Sequence, residues 1–252
     1  MLEFASFGLA FLAGTVAGTM NALAGGGTFV SMPALVALGL PSTIANATSN
    51  VALQPGAIAS AWAYRRGLGS LAGLSVSVLV AITLVGATIG SLLLVATPTR
   101  TFDIIIPWLL LAAFLVMLAG KSASEALHAR VTVGARTLIA VQFLLGIYGG
   151  YFGGGVGLMM MAAWGLLAGH APHELAAHRT LLLAVANAIA ALIFILMAMV
   201  DWRFAVPMLI GAILGGHYGA RIGLLLSPET IRAITLVVTG VTTVIFFWRA
   251  YS

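Results

Sequence analysis

Long apolar runs follow one another along almost the whole chain, and this pattern restricts the possible folds more than any other feature of the sequence. Hydrophobic residues make up 62% of the 252 positions and charged residues only 7%, against roughly 25% charged residues in soluble domains. A helix needs about 20 mostly apolar residues to cross a bilayer. The sequence therefore predicts an all-α integral membrane protein, long enough for roughly eight to ten embedded segments.

A polar stretch in the middle of the chain separates two sets of apolar runs. We expect residues 1–120 to form a first membrane repeat, 121–136 a cytoplasmic linker and 137–252 a second membrane repeat. Each half contains five runs. They cover residues 4–24, 28–40, 42–63, 68–96 and 102–120, and then 137–152, 156–168, 175–200, 204–226 and 230–248.

The two halves resemble each other in residues as well as in length. Gly18–Gly27 lines up with Gly146–Gly155, and both stretches end in a glycine triplet. Residues 40–50 likewise align with residues 171–181. The run after each triplet has about a dozen residues, too few to cross a membrane comfortably. Each half should thus contain a broken-helix hairpin, either re-entrant or crossing twice, followed by three transmembrane helices.

Such a hairpin returns the chain to its starting side, and three further crossings then invert the second half relative to the first. The distribution of basic residues orients this arrangement, because cytoplasmic loops are enriched in Lys and Arg. With the N-terminus outside, eight basic residues fall inside and three outside. Both termini should face away from the cytoplasm. The inside set is Arg65, Arg66, Lys121, Arg130, Arg136, Arg179, Arg221 and Arg232, and the outside set is Arg100, Arg203 and Arg249.

The glycine triplets predict where a substrate binds. Lipid offers no partner to exposed backbone groups, so broken helices persist only where protein or a cavity surrounds them. The amides at the start of the following short helix favour anions, which makes the backbone at Gly26 and Gly154 a candidate anion site. Interrupted helices at matching positions are typical of inverted-repeat transporters. The alternative is that the glycines only allow close helix packing.

Polar side chains that follow each triplet are the next candidates. In the first half these are Thr48, Ser49 and Asn50, joined by Asn21, Thr28 and Gln54; in the second half they are His178, Arg179 and Thr180. Hydroxyl and amide donors can bind oxyanion oxygens, and an arginine within an apolar run is costly unless it is paired. Such side chains can instead bond helix to helix, and the arginine can snorkel to the interface.

Several functional classes find no support in the sequence. The chain has no cysteine, and no catalytic motif is present, so we expect no enzyme and no cofactor. The spacing of His170, His173 and His178 with Glu174 matches no zinc signature, so no metal is expected. The basic residues are scattered singly rather than clustered, which argues against nucleic acid. The expected partners are a small anion and the lipid bilayer.

The stretches 14–35 and 45–50 resemble the TauE/SafE sulfite exporter family. In the second half, residues 146–157, which contain Tyr151, and residues 187–194, which begin with Asn187, agree with it. The resemblance implies an inverted-repeat transporter of small sulfur-containing anions, such as sulfite or sulfoacetate, which usually exports them across a bacterial cytoplasmic membrane. Tyr151 and Asn187 complete the set of substrate-binding candidates. The second half departs from the pattern of the first at two places. Met161 stands where the first half has Pro33, and residues 178–180 stand where a plain Thr-Ser element is expected.

Three alternatives remain open on the sequence alone. A passive anion channel would share an electropositive site, and the same scaffold with other polar side chains could carry another oxyanion or a carboxylate. An intramembrane enzyme would need buried acid–base or metal groups, which the sequence does not display. A homo-oligomer is compatible with all of these.

Overall fold

The computed structural model describes residues 2–71, 73–128, 135–168, 172–223 and 225–251. Within them the chain forms ten α-helices and one short 3-10 turn, Arg65–Gly67. Five helices belong to each half. They are α1 (Leu2–Ala24), α2 (Thr28–Ala37), α3 (Ser42–Tyr64), α4 (Val76–Ala96), α5 (Thr99–His128), α6 (Ala135–Tyr151), α7 (Val156–Ala168), α8 (Pro172–Leu196), α9 (Trp202–Gly223) and α10 (Pro228–Tyr251).

Five stretches are long and apolar enough to cross a membrane, namely Phe4–Ala24, Val76–Ala96, Thr99–Leu118, Leu175–Leu196 and Glu229–Tyr251. Many of their large apolar side chains point away from the protein. On α10, for example, Val237 and Val244 are 65% and 67% exposed. Surfaces of this kind are stable against lipid rather than water. The prediction of an all-α, multi-pass membrane fold is confirmed.

Helix boundaries differ most from the apolar runs at two places, by eight residues each. The run predicted from residue 68 becomes helical only at Val76, because Gly73 has φ +81° and a small bridge joins Leu71 to Leu74. Ser75 then caps α4 by accepting a hydrogen bond from the Val78 amide at 3.4 Å. In the middle of the chain α5 continues to His128, so its last eight residues occupy the first half of the polar stretch. Residues 129–134 of that stretch lie outside the described residues.

Both glycine triplets interrupt helices as predicted. The first separates α1 from α2 and the second separates α6 from α7. Gly25 and Gly153, the first residue of each triplet, have φ near +75°, a left-handed conformation that glycine adopts without strain and that ends a helix. Gly155 shares this conformation at φ +73°, whereas Gly27 has φ −58°. The two breaks therefore begin alike and end differently.

Glycines bring two pairs of helices into close backbone contact. Helix α1 packs on α9, where a side chain on Gly14 or Gly18 would collide with the backbone of Met208 or Ala212. Helix α4 packs on α6 in the same manner, with Gly90 against the backbone of Ile147. Small residues allow such close approach in membranes, where no hydrophobic effect drives helices together. The glycines of this kind are Gly14, Gly18, Gly211, Gly215 and Gly219 for α1 and α9, and Gly86, Gly90, Gly146 and Gly150 for α4 and α6.

The ring of Phe29 lies between the two breaks. It is 1% exposed, and side chains built on Gly26 and Gly155 would meet it at 3.1 Å and 2.5 Å respectively. The Thr242 hydroxyl of α10 donates to the Phe29 carbonyl at 3.0 Å, which ties this end of α2 to the other half of the chain. One aromatic ring thus fills the space that links the triplets.

Candidate functional site

Three carboxamides of α3 face the second half of the chain. Asn46, Asn50 and Gln54 follow one another at four-residue spacing, which places them along one side of the helix. Each donates its NH₂ group to that half: Asn46 to the Tyr151 carbonyl at 3.1 Å, Asn50 to Oδ1 of Asn187 at 3.4 Å and Gln54 to the Ala184 carbonyl at 3.1 Å. These bonds hold α3 against α6 and α8.

The oxygens of the same carboxamides are buried and have no hydrogen-bond partner in the described part of the chain. The hydroxyl oxygen of Ser42, one helical turn before Asn46, is in the same situation. The four side chains are between 1% and 8% exposed. We call Ser42, Asn46, Asn50 and Gln54 the oxygen row. Buried polar atoms without partners are rare in proteins and indicate a site of binding or hydration.

The second break approaches the middle of the oxygen row. A side chain built on Gly153 would lie 3.4 Å from Nδ2 of Asn50, 3.4 Å from the Gly149 carbonyl oxygen and 3.6 Å from Oδ1 of Asn187. Any larger residue at position 153 would therefore fill this space. Asn50 and Asn187, predicted from different halves of the sequence, are brought together here.

A second group of residues, three of them predicted, lines a small cavity at the first break. Its volume of about 20 Å³ has room for roughly one water molecule. The polar groups around it come from α1, α3 and α8, and the wall is completed by backbone at Gly25. The polar side chains are those of Asn21, Ser60, Tyr64, Arg179 and Thr180.

Arg179 connects this cavity with the start of α7. Its Nη1 donates to the sulfur of Met161 at 3.4 Å, while its Nε is buried and has no partner in the described part of the chain. A side chain built on Gly157 would lie 3.5 Å from Cγ of Arg179. The described residues contain no salt bridge to this guanidinium. Arg179 thus lies between the two broken helices.

Two of the predicted hydroxyls bond to other segments of the protein. Oγ1 of Thr48 accepts a hydrogen bond from the Asp201 amide at 3.0 Å, and the hydroxyls of Ser49 and Ser31 lie 2.5 Å apart. Thr48, Ser49 and Ser31 are all fully buried. In this conformation they fasten α3 to α2 and to the segment between α8 and α9.

The remaining side chains from the predicted set lie around these groups. Nε2 of His178 is 2.7 Å from the Gly69 carbonyl, and the Thr180 hydroxyl donates within α8 to the Ala176 and Ala177 carbonyls. Thr28 is half-buried at the start of α2. The residues considered and rejected as a metal site are His170, His173, Glu174 and His178, of which His170 lies outside the described residues.

The middle glycine of each triplet is covered by an aromatic ring. A side chain on Gly26 would meet Phe29, and one on Gly154 would meet the ring of Phe152 at 2.5 Å. The Gly154 carbonyl accepts a hydrogen bond from the Tyr148 hydroxyl at 3.0 Å. Tyr151 itself directs its hydroxyl to Oγ1 of Thr97 at 3.4 Å. The two rings therefore cover the middle glycines of the triplets.

Sequence reasoning did not identify all members of these groups. Ser42 and Asn46 of the oxygen row, and Ser60 and Tyr64 of the cavity, were not among the predicted residues. The spacing of Ser42, Asn46, Asn50 and Gln54 at intervals of four is visible in the sequence and could have shown that they share a helix face. No sequence signal points to Ser60 or Tyr64, because their position depends on how α3 packs against α8.

Comparison with known proteins identifies the family of the chain. A family model described as "Sulfite exporter TauE/SafE" matches residues 10–246. The chain belongs to the TauE/SafE family. It is 30% identical to the "Probable membrane transporter protein YfcA" of Escherichia coli (strain K12), an alignment that covers 93% of this chain and 87% of the relative.

Other TauE/SafE relatives show the same level of similarity. A "Probable membrane transporter protein" of Haemophilus influenzae is 29% identical over 91% of this chain and 89% of its own length. The "Probable membrane transporter protein ORF9" of a Sinorhizobium species is 29% identical over 94% of this chain and 91% of its own length. No solved structure matches the chain significantly. The protein is therefore a multi-pass membrane transporter of the TauE/SafE family and not an enzyme.

Proposed function

We propose that this protein is a secondary transporter that exports a small sulfur-containing anion, such as sulfite or an organosulfonate like sulfoacetate, across the bacterial cytoplasmic membrane. The observation that carries the proposal is the position of Arg179 between the two helix breaks. The sulfur chemistry rests on membership of a family described as sulfite exporters. The anionic character of the substrate rests on the site itself.

The Arg179 guanidinium lies within an apolar helix and forms no salt bridge in the described part of the chain, which favours an anionic ligand. An arginine inside an apolar helix is costly unless it is paired or reaches the interface, so a bound partner that offsets this cost is expected. Sulfite and sulfonate groups present oxygens that match the paired N–H groups of a guanidinium. Asn21, Ser60, Tyr64 and Thr180 around the cavity carry no negative charge, so they would not oppose an anion. The Ser60 and Thr180 hydroxyls already donate to backbone carbonyls, which leaves Asn21 and Tyr64 to donate to its oxygens.

The volume of the cavity supports a transport cycle rather than a permanently open pore. A space of about 20 Å³ is too small for sulfite, so the broken helices must separate before the anion can bind Arg179. We propose that the two halves are inverted repeats that rock against each other around this site. The matching contacts of α1 with α9 and of α4 with α6, both made by glycines, support this symmetry. Both termini would then face away from the cytoplasm.

The proposal is tested by thermal unfolding of the purified protein in sulfite, sulfoacetate, thiosulfate, sulfate, taurine and short carboxylates. A ligand that binds only the folded state raises the melting temperature. We expect a sulfur oxyanion or sulfonate to do so, and Arg179→Ala to abolish the rise. Arg66→Ala, which removes an exposed cation in the 3-10 turn after α3, should leave it unchanged.

Flux through proteoliposomes distinguishes a carrier from a channel, since a carrier saturates at far lower turnover. If Arg179→Ala folds and its melting temperature still rises fully with the anion, the guanidinium does not bind the substrate. It then only extends to the membrane interface. If carboxylates stabilise the protein and all sulfur anions fail, the fold and transporter class stand while the substrate class proposed here is wrong.

A further inference from the structure

The side chain of Arg179 lies along the start of α7 and contacts it at two points. A side chain built on Gly157 would lie 3.5 Å from Cγ and 3.6 Å from Cδ of Arg179. One turn further along α7, the sulfur of Met161 accepts a hydrogen bond from Nη1 at 3.4 Å. Residues four apart share one face of a helix, so the second broken helix holds both the aliphatic stem and one nitrogen of the guanidinium.

The sulfur orients the guanidinium without neutralising it. A thioether is an uncharged and weak hydrogen-bond acceptor. A carboxylate at position 161 would form a stronger, charge-assisted bond to Arg179 and would compete with a substrate anion for the same cation. With Met161 as the partner of Nη1, the positive charge stays available to a ligand.

This contact also determines which edge of the guanidinium is left for a ligand. A guanidinium is planar, and it binds an oxyanion through two parallel N–H groups. Because Nη1 is directed at Met161, the remaining edge is formed by Nε and Nη2. Nε is buried and has no hydrogen-bond partner in the described part of the chain. An anion with two oxygens on one atom supplies the acceptors that this edge requires.

The cavity and Met161 approach Arg179 from different helices. The walls of the cavity come from α1 and the adjoining Gly25, from α3 and from α8. Met161 belongs to α7. The sulfur can therefore keep its contact with Nη1 while a ligand occupies the side of the cavity.

The first half of the chain cannot form an equivalent contact. Pro33 stands at the position of Met161, and Thr48 stands at the position of Arg179. Proline has no side-chain acceptor, and Oγ1 of Thr48 accepts from the Asp201 amide. The two places at which the second half departs from the first thus meet in one contact.

We propose that Met161 is a positioning residue for substrate binding. Its sulfur holds Nη1 of Arg179 so that the edge formed by Nε and Nη2 receives two oxygens of an oxyanion. This inference rests on the proposed anion site at Arg179 and deepens it, because it names the ligand class: an anion with two oxygens on one atom, as in sulfite, a sulfonate or a carboxylate.

The experiment compares variants by the anion concentration that gives half of the full rise in melting temperature. Purified protein is titrated with sulfite, sulfoacetate or acetate at constant ionic strength. Met161→Leu conserves volume and should fold, but it removes the acceptor. The half-saturating concentration should increase by roughly three- to tenfold, the effect of one lost hydrogen bond.

Two further variants separate positioning from packing. Met161→Gln restores an acceptor for Nη1 and should keep the half-saturating concentration within about twofold of the unmodified protein, although it places a polar group among apolar neighbours. Arg179→Lys keeps the charge but has no planar edge, so it should lose the rise.

Met159→Leu is the matched control. Met159 is half-buried on α7 like Met161, but it packs against the hydrophobic core. Its replacement should leave the half-saturating concentration unchanged.

A weaker response in Met161→Leu that Met161→Gln restores supports the inference. Equal half-saturating concentrations in Met161→Leu and the unmodified protein overturn it and leave the proposed function intact. A full rise in Arg179→Lys also overturns it, because charge alone would then bind the anion. A rise with acetate alone contradicts the sulfur substrate but still allows the comparison at position 161, and no rise of the unmodified protein with any of the three anions contradicts both proposals.

Discussion

The side-chain nitrogen of Asn50 donates to Oδ1 of Asn187 at 3.4 Å, and this bond joins α3 of the first half to α8 of the second. Gly153 of the second break lies beside both side chains. A long hydrogen bond of this kind is weak, so it offers little resistance to separation of the two halves. Rocking of one half against the other would break it and open the oxygen row.

Gly153→Ala should impair transport more than it impairs stability. An alanine at φ +74° costs roughly 1–2 kcal/mol, and its methyl group would occupy the space between Asn50, Asn187 and the Gly149 carbonyl. We expect transport in proteoliposomes to fall by roughly tenfold or more, since small misplacements at a site have large kinetic effects.

Gly39→Ala is the control for that variant. Gly39 also has positive φ, at +94°, but nothing lies within 4 Å of the position that its side chain would take. It should lose similar stability through backbone strain alone and retain transport per folded molecule. Equal transport by the two variants would show that the space beside Gly153 is not used.

Gly215→Ala should destabilise the packing of α1 on α9. Its methyl group would collide with the backbone of Thr15, and the Thr19 hydroxyl, which donates to the Gly215 carbonyl at 3.0 Å, would be pushed away. Overpacking of this kind costs roughly 1–3 kcal/mol. Gly216→Ala is adjacent but meets only the Gly18 carbonyl at 3.8 Å. In thermal unfolding, Gly215→Ala should clearly lower the melting temperature and Gly216→Ala should change it little.

The fold was largely predictable because its main determinants are local. Apolar runs and glycine triplets recur along the sequence, and the helix breaks at Gly25–Gly27 and Gly153–Gly155 occur where those triplets stand. The start of α4 was not predictable from hydrophobicity, since Leu71 and Leu74 are apolar yet lie in a turn that ends at Ser75. Turn geometry there overrides the apolar pattern.

The arrangement of the candidate site was less predictable, because it depends on contacts between distant segments. The proximity of Asn50 to Asn187 and the ring of Phe29 between the triplets follow from helix packing, which no local pattern encodes. Thr48 illustrates the same limit: its hydroxyl accepts from the Asp201 amide, 153 residues further along the chain. Residue type alone could not distinguish this bonded hydroxyl from the unpartnered hydroxyl of Ser42.

Asp201 should make stability depend on pH. It caps α9 by accepting from the Arg203 amide at 3.0 Å, and the Arg203 side chain approaches its carboxylate at 2.7 Å. The hydrogen bonds from Arg203 hold the pKa of the Asp201 carboxyl below its usual value. Because the folded pKa is depressed, this stabilisation is present above the unfolded value of about 3.9 and is lost as pH falls through the folded pKa.

Asp201→Asn keeps a side-chain oxygen for the cap and removes the charge. We expect it to lower stability by less than about 1 kcal/mol at pH 7, since Arg203 is largely exposed. The difference in melting temperature from the unmodified protein should shrink as the pH falls below about 4. A difference that stays constant from pH 7 to pH 3 would show that the charge of Asp201 does not stabilise the folded protein.

Inversion of the two halves predicts opposite sides for two equivalent positions. Phe4 lies near the start of α1 and is 82% exposed, and Arg136 is exposed at the start of α6. The chain has no cysteine, so Phe4→Cys and Arg136→Cys each introduce a single thiol. A membrane-impermeant maleimide should label position 4 in intact cells and position 136 only after the membrane is opened. Labelling of both from the same side would exclude inverted repeats, because equivalent helices would then cross in the same direction.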